Sequence, residues 1–230
     1  MIRIIQLVAV LGVAVTDWLA VARGWKIVEY FAKPVTLVLL LIFLAFSTGF
    51  GSIPLIFFGF GLFFSLAGDI FLMISFYHFS DRWFLPGLVA FLLAHIAYII
   101  GFSLPIENVS PIWGIGLGIV LAFTAARVLR RIIAGIREKG LRWMATPVLV
   151  YGMIITLMLL SALLTLYRTD WKTSASGLVC LGAILFYFSD IILAWNKFVK
   201  PVRNGRLMNM IAYHLGQIAL ITGVVLRFGK

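Results

Sequence analysis

Eight runs of predominantly apolar residues occupy almost all of this 230-residue chain, at roughly 4–22, 34–50, 53–76, 84–104, 111–128, 145–167, 176–198 and 207–227. Each run of about 20 residues is long enough to cross the hydrocarbon core of a bilayer as an α-helix. With 12% charged residues and a mean hydropathy of +1.12, the chain is far more apolar than a soluble domain, in which roughly a quarter of residues are charged. The expected fold is all-α: a polytopic membrane protein of about eight transmembrane helices, forming one integral membrane domain over residues 1–230. Little chain is left for anything else.

The net charge of +11 does not point to nucleic acid, because the basic residues lie in short loops where membrane topology explains them. Fourteen of the nineteen Lys and Arg fall in the loops after the first, third, fifth and seventh runs. Those loops are therefore expected to be cytoplasmic and both termini to face away from the cytoplasm. The first run has the basic start and apolar middle of a signal peptide, but Asp17 and Trp18 stand where a cleavage region would be small and neutral, so it reads as a retained helix. The single cysteine, Cys180, excludes an intramolecular disulfide and is expected to serve packing. The lack of a long targeting or sorting tail fits a bacterial inner membrane.

The longest interruption, residues 125–143, sets Arg127, Arg130, Arg131 and Arg137 opposite Val128, Leu129, Ile132, Ile133 and Ile136. This pattern predicts a helix that leaves the membrane and lies along an anionic surface. Across it, "GDIFL" at 68–72 answers "SDIIL" at 189–193, and "HIAYI" at 95–99 answers "HLGQI" at 214–218. Each half then carries an acid-bearing helix followed by a His-bearing one, as in a parallel 4+4 repeat with halves 1–125 and 140–230.

Ionisable residues inside membrane helices are costly and usually line a cavity or pathway. At 1.5 Å per residue, Asp69 and Asp190 both sit roughly 10 to 12 Å from the cytoplasmic ends of their helices. Asp17 is shallower, near enough to the interface to be solvated. Tyr151, Tyr213, His214, Gln217 and His95 reach the same layer from antiparallel helices. Helical spacing puts Ser65 beside Asp69, Tyr187 beside Asp190, Tyr98 beside His95, and Tyr213 and His214 beside Gln217. His78 and Asp81 read as inert loop residues. Two nearby carboxyl groups can divide the roles of proton donor and proton acceptor. No G-x-S-x-G or H-E-x-x-H motif is present, so neither a serine nucleophile nor a metal site is signalled.

"AGDIFLMI" at 67–74, "GLVAFLLAHIAYIIGF" at 87–102, "FYFSDIILAWNKF" at 186–198 and "AYHLGQIALITG" at 212–223, with "KP" at Lys33 and Pro34 opening the second span, resemble the YhhN family of integral-membrane lysoplasmalogenases. The match lies at Gly68, Asp69, Gly87, Phe91, His95, Tyr98, Ser189, Asp190, Phe198, Tyr213 and Gln217. The resemblance implies hydrolysis of the vinyl ether bond of a lysophospholipid, to a fatty aldehyde and glycerophosphoethanolamine or glycerophosphocholine, with no cofactor. That chemistry needs a proton for the distal alkene carbon and a base for water. Asp69 and Asp190 are the expected catalytic pair. Ser65, His95, Tyr98, Tyr187, Ser189, Tyr213, His214 and Gln217 are expected to support it, and Lys33, Asn196 and Lys197 to meet the phosphate. The residues alone also suit a proton-coupled transporter, a metal-dependent lipid hydrolase using Asp69, Asp190, His95 and His214, or a lipid-binding scaffold.

Overall fold

The structure, a computed structural model, describes residues 2–77, 81–106 and 109–229. Among these there is no strand. Eight helices follow one another: α1 (Ile2–Arg23), α2 (Lys26–Thr48), α3 (Ile53–Tyr77), α4 (Phe84–Ser103), α5 (Pro111–Glu138), α6 (Ala145–Leu164), α7 (Thr173–Ala194) and α8 (Gly205–Phe228). A π-helical turn, Trp195–Val199, extends α7. All eight are long and apolar enough to span a membrane, as the apolar runs require. His78 and the side chain of Asp81 lie outside the described residues.

Two boundaries differ from expectation. α2 begins at Lys26, so Pro34 lies inside the helix instead of opening it. The charged turn before Pro34 is helical because its charges have partners on other helices: Glu29 meets Arg206, and Lys33 meets Asp69. The basic segment after residue 125 is likewise no separate surface helix. It continues α5 unbroken to Glu138, and the chain turns only at Gly140, whose φ of +74° favours a residue without a Cβ. The apolar face expected to meet lipid is instead partly covered by protein. Ile132 and Ile136 are buried, and Gly135 packs against the Phe198 backbone.

The tightest pairings are the antiparallel hairpins α3/α4 and α7/α8. In the second, backbones touch. A Cβ added at Gly182 would lie 2.5 Å from the Leu220 amide nitrogen and 2.7 Å from the Gly216 carbonyl. Small residues permit such close approach where lipid supplies no hydrophobic drive for association. α2 neighbours α3 as α6 neighbours α7, α1 pairs with α2 as α5 with α6, and α4 packs on α6 as α8 packs on α2. We propose on this adjacency that the chain is a duplicated four-helix unit. Cys180 is buried, its thiol donating to the Ala162 carbonyl.

The end of the bundle that carries the termini is cross-linked. Arg168 donates to the Phe102 and Pro105 carbonyls at 3.1 and 2.7 Å and to both oxygens of Asp170 at 2.9 Å. Arg227, in the last turn of α8, donates to Asp170 as well. Burial alone would raise the Asp170 carboxyl, but the bonds from Arg168 and Arg227 outweigh it and hold it below the usual carboxylate range.

Gly182→Ala is expected to destabilise the protein by about 1 to 3 kcal/mol through overpacking, read as a lower Tm in detergent. Gly177→Ala, in the same helix but with open space at its Cβ, is expected not to lower it. Because the folded Asp170 sits below its unfolded value of about 3.9, its contribution is complete above that value and is lost as pH falls through the folded one. Asp170→Asn should therefore lower Tm at pH 7, and the gap to the parent should close as pH drops below about 4.

Candidate active site

At the opposite end of the bundle, the end bearing the basic loops, a cavity of about 610 Å³ opens between α2, α3, the Trp195–Val199 turn and α8. Glu29, Lys33, Ser75, Asn196, Lys197, Arg206 and Asn209 supply its polar lining, and Met73, Phe76 and Phe84 are among its apolar walls. Lys33 carries the cavity down to the first acid. Its Nζ is 3.0 Å from Asp69 Oδ1, and Tyr213 Oη donates to Asp69 Oδ2 at 2.8 Å. Lys33, Asp69 and Tyr213 are each at most 5% exposed. A helical turn deeper, Gln217 accepts from Tyr98 at 2.9 Å and donates to Ser65 Oγ at 3.0 Å. Helices α3 and α8 are thus joined by polar bonds at two successive levels, with α2 added at the first and α4 at the second. Gly68 permits this closeness, since the Phe91 ring fills the space its Cβ would need.

Asp190 belongs to a second cluster. Tyr151 donates to its Oδ2 in a short hydrogen bond, His95 Nε2 lies 2.9 Å from Tyr151 Oη and 3.5 Å from Asp190 Oδ2, and Ser189 Oγ bonds the Phe186 carbonyl and, at 3.4 Å, Asp190 Oδ1. Asp190 borders a small space of about 50 Å³ among α4, α5, α6 and α7. The rings of Phe91 and Phe186 lie between the two clusters. Phe186 meets Tyr213 edge to face at 5.2 Å and His95 at 4.9 Å, and Phe91 meets both Phe186 and Tyr213. Among the described residues no hydrogen bond or ion pair joins the two acids directly. The nearest polar link is Asn209, which lines the cavity and donates to the Ser189 carbonyl at 2.7 Å.

The third acid corrects its expectation. Asp17 is fully buried instead of solvated, because α8 covers it: His214 Nδ1 is 3.8 Å from its Oδ2 and accepts from Trp18 Nε1 at 3.1 Å. Neither Asp17 carboxylate oxygen, nor His214 Nε2, has a hydrogen-bond partner among the described residues.

The polar layer is therefore real but divided. Ser65 bonds Gln217 and not Asp69, while Tyr187 lies 3.4 Å from Thr156 Oγ1 and not on Asp190. Asp69 and Asp190 each take a hydroxyl from a tyrosine on another helix. The four side chains considered as a metal set fall into three clusters, and no group of three His, Cys, Asp or Glu is gathered among the described residues. Asn196 accepts from the Val202 amide at 2.6 Å, and Lys197 Nζ sits 4.4 Å from the centre of the Phe84 ring, both at the cavity wall. Glu29, Tyr77, Arg206 and Asn209 were not singled out by the sequence. A signal existed for two of them: Glu29 and Lys33 are four residues apart, and Asn209, Tyr213 and Gln217 form a stripe at the same interval.

The chain is similar to lysoplasmalogenase TMEM86B of Mus musculus, 34% identical over 140 residues that cover 60% of this chain and 52% of the relative. For the Homo sapiens protein of the same name the identity is 31% over 147 residues, covering 63% and 54%. A lysoplasmalogenase homolog of Dictyostelium discoideum is 25% identical over 193 residues, covering 71% and 61%. The chain spans about half the length of the mammalian relatives it matches. No solved structure matches it. The YhhN family model matches residues 28–224, from the charged turn of α2 through most of α8 and so across both polar clusters, and on that match this chain belongs to the YhhN family.

Proposed function

We propose that this protein is a membrane hydrolase that cleaves the vinyl ether bond of lysoplasmalogens, releasing a fatty aldehyde and a glycerophosphoethanolamine or glycerophosphocholine. The observation that carries the reading is the 610 Å³ cavity, open at the basic end, with a buried Lys33–Asp69 pair at its inner limit. Such a space suits a polar headgroup with a single chain running toward the bilayer. The basic loops favour a cytoplasmic mouth and termini on the other side, and a bacterial inner membrane is the setting we infer.

The reaction adds a proton to the alkene carbon distal to oxygen, which makes an oxocarbenium ion. Water attacks that ion and gives up a proton to a base, and the hemiacetal then collapses to aldehyde and alcohol. In our reading Asp69 and Asp190 divide these tasks. Asp69 receives an ammonium and a phenol hydroxyl, the donor set of an ionised carboxylate, which suits the base that also stabilises the cation. Asp190, with Tyr151 and His95, would then be the proton source. Ser189 and Asn209 tie the two clusters through the α7 backbone, and Ser65, Tyr98 and Gln217 hold α8 in place beneath Tyr213. The Phe91–Phe186 pair between the acids favours a second reading, in which Lys33 gives the proton to the alkene and Asp69 takes one from water.

The test is aldehyde release from a lysoplasmalogen by detergent-purified protein, with an ester lysolipid for comparison. Loss of a general acid or base typically costs 10²- to 10⁴-fold, so Asp69→Asn should lower turnover by at least a hundredfold with the fold retained. Asp190→Asn should do the same if the acids share the chemistry. If Lys33 is the donor, Asp190→Asn keeps most of the activity while Lys33→Met loses it and Lys33→Arg recovers little. Product-free but proton-linked flux of a solute would instead show a transporter.

A further inference from the structure

The cavity mouth holds a group of side chains that the hydrolytic chemistry does not use. Glu29 is only 3% exposed, and it is the one acidic residue lining the cavity among the described residues. Its Oε1 accepts a short hydrogen bond from Arg206 Nη2, and its Oε2 accepts from Tyr77 Oη at 2.5 Å. Arg206 Nη2 also donates to Tyr77 Oη at 3.1 Å. The guanidinium carbon lies 3.7 Å from the centre of the Phe76 ring and 5.2 Å from that of Tyr77. Tyr30 stacks on Tyr77 at 4.9 Å and braces it.

A carboxylate flanked by two aromatic faces is the chemistry that recognises ammonium groups. Here α2 and α3 build such a cage, and a cation from α8 sits in it. Arg206 is the most accessible member of the pair, its side chain 32% exposed against 3% for Glu29, and Phe76 is half exposed. The cage is thus fixed and buried at its acid, whereas its occupant borders solvent on a long side chain. A headgroup that carried only a phosphate would have no use for Glu29.

We propose that Glu29, Phe76 and Tyr77 form a binding site for the ammonium of a lysophospholipid headgroup, a site that Arg206 fills in the free protein and yields when the lipid enters. The displaced guanidinium then meets the phosphate, which in ethanolamine and choline esters is two methylenes from the nitrogen. The cation inside the protein is exchanged for the cation of the ligand, so Glu29 is never left buried and unpaired. This inference rests on the lysophospholipid reading above. It assigns headgroup selectivity to α2 and α3, while Lys33 and Asp69 stay with the reacting bond.

The experiment measures binding of ester lysolipids of one chain length to the full chain in detergent. Phosphocholine and phosphoethanolamine headgroups are compared with phosphate and phosphoglycerol headgroups, which lack an ammonium, and with free choline. Phe76→Leu and Glu29→Gln should lower the preference for ammonium headgroups about tenfold, with little change for the others. Arg206→Met should raise the preference for ammonium headgroups over phosphate and phosphoglycerol several-fold, because every headgroup loses the guanidinium contact to its phosphate but only the ammonium ones lose a competing cation. Equal losses across all headgroups in Phe76→Leu and Glu29→Gln, or an unchanged headgroup preference in Arg206→Met, would make the cluster a structural tie and overturn the proposal. Free choline binding as tightly as the lipid would overturn the lipid assignment. Should Glu29→Gln not fold, Phe76→Leu, at an exposed ring, decides. The ester probes need no turnover, so a selective protein that releases no aldehyde refutes the hydrolase reading alone. A protein that releases aldehyde without headgroup preference refutes the cage alone.

Discussion

The contact between Lys33 and Asp69 sets the terms for the rest of the bundle. Two charges at membrane depth are tolerable only if they are joined and their remaining hydrogen-bonding capacity is met. Asp69 meets that requirement by drawing Tyr213 from α8, and Lys33 by standing at the wall of a polar cavity. The consecutive helices α2 and α3 and the distant α8 are thereby fixed to a common depth. Removing either partner would leave an unpaired buried charge, at a cost of about 3 to 5 kcal/mol.

Eight apolar runs gave the helix count and order directly, because hydrophobic length is a one-dimensional property. The acids were legible for the same reason, as each interrupts an apolar run. Less legible was anything decided by partners. Residues 26–33 carry three charges and read as a loop, and only Arg206 and Asp69, distant in sequence, make that stretch helical. Asp17 seemed shallow by its position in the first run, yet a neighbouring helix covers it. The division of the polar layer was hidden too. Position along a helix gives depth but not azimuth, so Asp69 and Asp190 shared a level on paper while Phe91 and Phe186 stand between them.

This division shapes how the two acids are used. A single layer of polar groups would behave as one network in which moving any member moves all. Two networks separated by aromatic rings can be tuned apart. One faces a roomy cavity with a partly polar lining, and the other borders a narrow space toward α5 and α6. The backbone between Ser189 and Asp190 is the bridge, held by Asn209 from the cavity side.

The cross-link at Arg168 and Asp170 has a mechanical side. Helices fastened at one end of a bundle and parted at the other behave as levers about the fastened end. Over a hydrocarbon span of about 30 Å, a tilt of about 5° would displace the free ends by roughly 2 to 3 Å, enough to change whether a lipid chain passes between them. The entrance would then owe its width to a joint on the far side of the membrane, and the stiffness of that joint would govern how readily the bundle admits a guest.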